Sequence, residues 1–204
     1  MPHVYVAADA QGHEFLRVPM VEQPCAEPGC GRTVVVGLPF CDAHLPLRRR
    51  VCVRPSTIPD AGNGLYACDP SAPPGAVLFR TGEAIGALDA RDVPLMTKEV
   101  YELYRRHGVH PEYAIQTRDG VRDFASYRHY LMLANRPPRG GKANARFTDA
   151  TGHAVRMVAS APIRNGSEIF VSYNLNARRP PARGSIETTR KRARSPEAYV
   201  VISD

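Results

Sequence analysis

Long apolar runs are absent from this 204-residue sequence, and none approaches the ~20 residues that a membrane-spanning helix requires. The first residues, Met1 to Tyr5, contain no basic patch ahead of an apolar stretch, so the sequence predicts no signal peptide. These two absences predict a soluble intracellular protein without a membrane partner.

Cysteine is also scarce. The chain has five cysteines, an odd number, and three of them lie close to one histidine. This arrangement favours a metal site over a disulfide framework, and therefore a reducing compartment.

The composition favours many short elements. An apolar content of 43% is sufficient for a core, which excludes a disordered tail or a fibre. The 19 prolines and 16 glycines favour turns over a helical bundle. Residues 97–107 form the one strong helix candidate, and residues 127–134 are a candidate short helix. We predict a mainly β fold of several small sheets with a few short helices, and one medium domain with small attachments.

The positive charge is unevenly distributed. Residues 175–204 carry seven Lys/Arg and three acidic residues, and their net +4 leaves only +3 of the total +7 for the other 174 residues. The body is therefore too mildly basic to predict nucleic-acid binding by itself. The cluster at residues 190–194 resembles a nuclear localisation signal or an acid-binding patch, which predicts a nuclear protein whose tail can contact nucleic acid. A merely solvated tail is the alternative.

Three cysteines and one histidine form two close pairs, Cys25 with Cys30 and Cys41 with His44, on either side of a short strand-like segment. Three thiolates and one imidazole match the number and softness of the ligands that tetrahedral zinc prefers. Four protein ligands close the site, so we predict one structural Zn²⁺. In the alternative set, Cys52 replaces His44. Arg48, Arg49 and Arg50 follow, either as a solvated linker or as a contact for an anionic partner.

Six short stretches further along the chain carry motifs in a fixed order. They are residues 59–67 (PDAGNGLYA), 113–116 (YAIQ) with 123–126 (DFAS), Asn135, 144–147 (NARF) and 163–173 (IRNGSEIFVSY). Together they resemble the SET-domain protein-lysine methyltransferases, over about residues 51–174. The resemblance implies a SET-type fold, S-adenosylmethionine as cofactor and a protein lysine, for example on a histone tail, as substrate.

The resemblance also implies roles for individual residues. Tyr173 would orient the transferred methyl group, and Tyr113 would line the lysine channel. The implied cofactor-binding residues are Gly62, Asn63, Gly64, Leu65, Tyr66, Asn135, Arg136 and Asn144. Outside this context, Tyr173 would be an ordinary strand-end residue, the asparagines would stabilise turns, and core packing is an equal alternative for Tyr113.

The chain departs from the family pattern at several positions. Arg136 replaces the family's histidine, Met132 replaces a usual arginine, and no cysteine follows Cys68, so the post-SET zinc cluster is missing. We predict an N-terminal hairpin and zinc module at residues 1–50, a SET-like catalytic domain at 51–176 and a basic, flexible tail at 177–204. The alternative function is a SET-like module without catalysis that binds chromatin or nucleic acid.

Overall fold

The structure is a computed structural model that describes residues 5–8, 11–12, 14–17, 22–107, 114–117, 120–123, 129–150 and 154–172. The predicted catalytic residues Tyr113 and Tyr173 and the tail at 177–204 lie outside the described residues. Within the described part of the chain, no helix is long and apolar enough to cross a lipid bilayer.

Short strands separated by turns make up most of the described chain. The helices described are α1 (His44–Arg49), α2 (Lys98–Arg106) and two 3-10 helices, Ala90–Asp92 and Tyr130–Leu133. The strands described are β1 (Tyr5–Ala8), β2 (Glu14–Arg17), β3 (Glu22–Pro24), β4 (Thr33–Val35), β5 (Val51–Pro55), β6 (Asn63–Ala67), β7 (Val77–Phe79), β8 (Ala84–Asp89), β9 (Ala114–Thr117), β10 (Gly120–Asp123), β11 (Ala145–Ala150), β12 (Ala154–Ala159), β13 (Ile163–Arg164) and β14 (Val171–Ser172). The prediction of a mainly β fold with a few short helices is confirmed.

These strands form several small sheets. The largest described sheet has four strands in the order β14-β11-β12-β8, in which β14 runs parallel to β11 and the other pairs are antiparallel. The remaining described sheets are antiparallel pairs: β1 with β2, β3 with β4, β5 with β6, β7 with β13, and β9 with β10. Hairpins between neighbouring strands therefore account for most of the pairing.

The pairing register of two hairpins shows where their connecting turns lie. The Asp-Gly pair at residues 119–120 is typical of a hairpin turn, and β9 and β10 do pair as a hairpin, but Gly120 pairs with Thr117 and so belongs to β10 and not to the connection. In the first hairpin, Ala8 pairs with Glu14.

The largest hydrophobic cluster of the described residues contains side chains of the four-stranded sheet and of the β5–β6 hairpin. Val51, Leu65, Met157 and Ile169 have no exposed surface, and Phe79 is 1% exposed. Along β12 every second residue is buried, because successive side chains in a strand point to opposite faces. The core thus joins the hairpin that carries the glycine motif to the last described strands.

Helix α2 begins and ends where the sequence predicts. The Thr97 hydroxyl accepts a hydrogen bond from the Val100 amide (3.3 Å), which caps the first turn. Val100 and Tyr104 form the buried face, and the Tyr104 hydroxyl donates to the buried Asp123 carboxylate (3.0 Å). The helix is therefore held against β10 by both packing and a charged hydrogen bond.

Candidate functional site

Cys25, Cys30, Cys41 and His44 converge on one point. Their ligand atoms all lie within 4.8 Å of one another. His44 Nδ1 lies 3.6 Å from Cys25 Sγ and 3.4 Å from Cys41 Sγ, and the sulfurs of Cys30 and Cys41 are 4.0 Å apart. Tetrahedral zinc with ordinary bond lengths places two sulfurs about 3.8 Å apart and a sulfur and a nitrogen about 3.6 Å apart. The four side chains therefore fit a tetrahedral metal ion.

Local backbone structure explains why these four residues meet. Cys41 is followed by a turn in which its carbonyl accepts from the amides of His44 (3.0 Å) and Leu45 (2.8 Å), which starts α1. Leu45 is buried beneath the helix, and the Arg48 guanidinium forms two hydrogen bonds, of 2.6 and 2.5 Å, with the Glu27 carboxylate. This ion pair fastens α1 to the turn between the first two cysteines.

The pKa of the Cys25 thiol and the pKa of the Cys52 thiol are shifted in opposite directions. Burial acts to raise the pKa of Cys25, but hydrogen bonds from the Cys41 amide and neighbouring groups lower it to about 6. Burial, together with the nearby Cys68 thiol, raises the pKa of Cys52 to about 12. Cys52 lies outside the cluster, in β5, so the structure supports His44 and not Cys52 as the fourth ligand.

The glycine motif lies at the end of the β5–β6 hairpin. Pro55 pairs with Asn63, and the Ser56 amide donates to the Gly62 carbonyl (2.8 Å), which closes the connecting loop. Gly62 has a φ of +66°, a conformation that favours glycine, and both Gly62 and Asn63 are exposed. The hairpin therefore presents its backbone to solvent at the predicted cofactor position.

Asn135 meets this hairpin from a distant part of the sequence. Its side-chain nitrogen donates to the Asn63 carbonyl (3.1 Å) and to Glu168 Oε1 (3.3 Å). Its backbone carbonyl accepts from the Val171 amide (2.9 Å). The structure thus brings together three of the segments that carry the predicted site.

Glu168 occupies the centre of this junction, and sequence reasoning missed its role. The carboxylate is 6% exposed and accepts from Ser56 Oγ (2.7 Å), Thr57 N (2.8 Å) and Thr57 Oγ1 (2.5 Å). The Tyr66 hydroxyl (3.2 Å) and the Asn135 amide complete its partners. An acidic residue beside an otherwise apolar Ile-Phe-Val run was the available signal, because a buried carboxylate requires donors.

Two further properties show how closely Glu168 fits. A Cβ built on Gly64 would lie 2.3 Å from Glu168 Oε1, so the carboxylate needs the space that glycine leaves. Burial acts to raise the pKa of Glu168, but hydrogen bonds from Thr57 and Ser56 outweigh it and hold the pKa below its ordinary value of 4.5. The carboxylate is therefore ionised at neutral pH and fixes the loop, the hairpin and Asn135 together.

The other predicted cofactor residues have varied environments. The Asn144 side chain donates to the Glu168 carbonyl (2.9 Å) and accepts from the Phe170 amide (2.8 Å), so it holds the chain that leads to β14. Leu65 and Tyr66 point into the protein, whereas Arg136 is exposed. Contacts of these residues with a cofactor stay predictions.

No protein-family model and no curated protein matches this chain. Among solved structures, the chain is similar to the methyltransferase domain of human PR domain-containing protein 2. The TM-score is 0.36 and the sequence identity is 16%, over 76% of this chain and 100% of that domain.

Proposed function

We propose that this protein transfers a methyl group from S-adenosylmethionine to a lysine side chain of another protein. The observation that supports the proposal best is the hydrogen bond between Asn135 and the Asn63 carbonyl. It joins the two segments that resemble the cofactor contacts of SET domains, although 72 residues separate them in the sequence. The Val171 amide bonded to Asn135 extends this junction to the segment that precedes Tyr173.

The residues at the junction fit the amino-acid end of the cofactor. Both acceptors facing the Asn135 side-chain nitrogen are oxygens, which fixes the orientation of the amide. Its Oδ1 has no hydrogen-bond partner among the described residues. That oxygen would accept from the cofactor ammonium group, and the exposed backbone of Gly62 and Asn63 would lie alongside. Glu168 positions Asn135 for this contact.

When bound, S-adenosylmethionine supplies an electrophilic methyl group for attack by an amine. The attacking lysine must be neutral, and deprotonating a free lysine at pH 7 costs about 4.6 kcal/mol, since its pKa is about 10.4. A narrow apolar channel favours the neutral amine, and we assign its lining to Tyr113. We assign to the Tyr173 hydroxyl the orientation of the reacting groups. Correct alignment is the protein's main contribution to such a displacement.

We further propose that Cys25, Cys30, Cys41 and His44 hold one Zn²⁺. Four protein ligands leave no open coordination position, so the ion would stabilise the N-terminal module without entering the reaction. The nuclear location and the histone substrate are proposals that rest on the basic cluster at 190–194 and on the family resemblance.

The proposal is tested by incubating the full chain with methyl-labelled S-adenosylmethionine and a panel of histones. We expect label on lysine with the wild-type protein, and a rate at least ~100-fold lower with Tyr173→Phe, as for loss of one oriented polar group at a reacting centre. Tyr101→Phe is the matched control, because Tyr101 is 50% exposed on α2; it should keep wild-type activity.

Two results would count against the proposal. Equal labelling by the wild-type and Tyr173→Phe proteins would remove Tyr173 from its role. Absence of both cofactor binding and transfer, together with steeply salt-dependent DNA affinity, would instead support a binding module without catalysis.

A further inference from the structure

A cleft lies between the arginine-rich end of α1 and strand β8. It consists of two cavities of about 220 and 390 Å³ that share the lining residues Arg49, Ala87 and Tyr130. We call it the β8 cleft. It involves neither the metal cluster nor the Asn135 junction, so the inference drawn from it is independent of the proposed function.

One side of the cleft is the edge of a sheet. β8 is the terminal strand of the four-stranded sheet, and among the described residues it pairs only with β12. Residues 84–89 all line one or both cavities. Six residues of strand offer about 20 Å of edge, and an unpaired edge is a template for another extended chain.

The opposite side of the cleft carries three arginines, and one of them forms no ion pair with the described residues. Arg48 is paired with Glu27, and Arg50 with Glu83 (2.7 Å) and the Leu78 carbonyl. Arg49 is exposed and forms no hydrogen bond or ion pair with the described residues; its guanidinium lies 5.5 Å from the centre of the Phe40 ring. Arg49 therefore supplies a free positive charge at the cleft.

Two buried polar side chains between these sides also have unused donors. His129 is 7% exposed and its Nδ1 accepts from the Leu131 amide (3.3 Å). Burial and the Arg49 charge lower the pKa of His129 to about 4, so at neutral pH its proton is on Nε2, which has no partner among the described residues.

Tyr130 presents the second unused donor. The residue is 2% exposed and stacks on His129, and its hydroxyl lies so close to Gly86 that a Cβ there would be 2.2 Å away. The hydroxyl has no hydrogen-bond partner among the described residues. Neither donor atom is fully buried, so both open onto the cleft, and two unpaired donors beside the Arg49 guanidinium offer a site for an acceptor that carries negative charge.

We propose that the β8 cleft binds an extended, acidic segment of a partner protein, which pairs with the edge of β8 and places a carboxylate against Arg49, His129 and Tyr130. Strand addition supplies the affinity through main-chain hydrogen bonds, and the three donors select an acidic side chain. Asp92 lines the cavity that contains His129 and would favour a basic or hydroxyl residue further along the same segment.

The charges favour a peptide over a nucleic acid. Asp92 lines the same cavity as His129 and would repel a continuous run of phosphates, whereas the Asp89 carboxylate is paired with Arg91. Two of the three arginines are already neutralised, and the buried tyrosine ring offers no exposed face on which a base could stack. A single carboxylate on an otherwise neutral strand fits this pattern.

The test is selection from a phage-displayed library of random twelve-residue peptides on the full chain, followed by affinity measurements with the enriched peptides. We expect Asp or Glu between β-branched or aromatic residues, and binding that protects the amides of residues 84–89 from hydrogen exchange. Arg49→Glu should weaken binding by at least about tenfold, whereas Arg49→Lys should retain most of it. Arg105→Glu, an exposed arginine on α2, should have no effect.

Circular dichroism and metal content of each variant establish that it is folded. The inference is overturned if no peptide is enriched, if the selected peptides bind Arg49→Glu as well as wild type, or if protection appears away from β8. A short DNA duplex that displaces the peptides and protects the amides of residues 84–89 from exchange equally well would identify the cleft as a nucleic-acid site. That result would also overturn the inference.

Discussion

Replacing Glu168 with glutamine is expected to destabilise the protein and to disturb the Asn135 junction specifically. The carboxylate accepts from Ser56, Thr57, Tyr66 and Asn135. Glutamine has nearly the same shape, but one oxygen becomes an NH₂ group, which must face donors. The hydroxyls can rotate to accept instead, but the Thr57 amide cannot, so the NH₂ group should turn towards Asn135.

The magnitude follows from the number and charge of the bonds. Hydrogen bonds to a charged group contribute about 1.5–3 kcal/mol each, and the rotating hydroxyls recover part of the loss. We expect Glu168→Gln to lower the free energy of unfolding by about 2–3 kcal/mol. For a chain of this length that corresponds to a fall in Tm of about 4–12 °C. Glu102→Gln, which alters an exposed ion pair on α2, should change stability by less than ~0.5 kcal/mol.

The difference between wild type and Glu168→Gln should also depend on pH. The pKa of Glu168 in the folded protein lies below 4.5, because the bonds from Thr57 and Ser56 outweigh the effect of burial. A lowered pKa stabilises the folded state fully above the unfolded-state pKa, and this stabilisation disappears as the pH falls through the folded-state pKa. The two proteins should therefore differ by a constant amount above about pH 5.5 and converge below pH 4.5.

Urea unfolding at a series of pH values measures both quantities. A glutamine variant as stable as wild type at pH 7 would show that the five donor contacts do not hold the junction. A stability difference that stays constant down to pH 3 would show that the Glu168 pKa is not lowered by its partners.

The remaining predictions concern the metal cluster. The wild-type chain should contain about one zinc ion by elemental analysis, and Cys41→Ser should abolish it, with unfolding of the N-terminal module. Cys52→Ser should retain the ion, since Cys52 lies outside the cluster; loss of zinc from Cys52→Ser but not from a His44→Ala protein would restore the alternative ligand set.

Much of the fold follows from local signals. Thr97 caps α2, the apolar residues of that helix share one face, and the Asp-Gly pair marks the β9–β10 hairpin, although Gly120 itself lies in β10. The metal cluster follows from spacing alone, because each close pair of ligands lies within one short local segment: Cys25 and Cys30 in the loop between β3 and β4, and Cys41 and His44 in the turn that starts α1. These features depend on residues that are near one another in the sequence.

Strand β8 and helix α1 were not predictable in the same way. β8 has the sequence AIGALD, whose alanines and glycine have low strand propensity; it is a strand because it pairs with β12 and buries Ile85 and Leu88. Helix α1 has only six residues and contains Pro46, which the first turn of a helix tolerates. The sequence favours a solvated linker or a contact for an anionic partner at Arg48 and Arg49, yet both residues lie in this helix. Both elements depend on partners that are distant in the sequence.

The role of Glu168 was missed for the same reason. Glu168 lies outside the described strand, which is only Val171–Ser172. Glu168 forms an isolated bridge with Tyr66 and turns its side chain into the junction. Its donors lie in the loop at residues 56–57, more than 100 residues earlier, so no local pattern reveals the contact.

Titration calorimetry with S-adenosylmethionine tests the proposed cofactor site most directly. The site at Gly62, Asn63 and Asn135 predicts saturable binding of one cofactor per wild-type chain. Gly64→Ala should weaken it at least about tenfold, because the added Cβ displaces Glu168 and with it Asn135. Gly31→Ala, whose Cβ would contact nothing within 4 Å, should bind normally. A folded wild-type protein that binds no cofactor, or a Gly64→Ala protein that binds as tightly as wild type, would contradict the account.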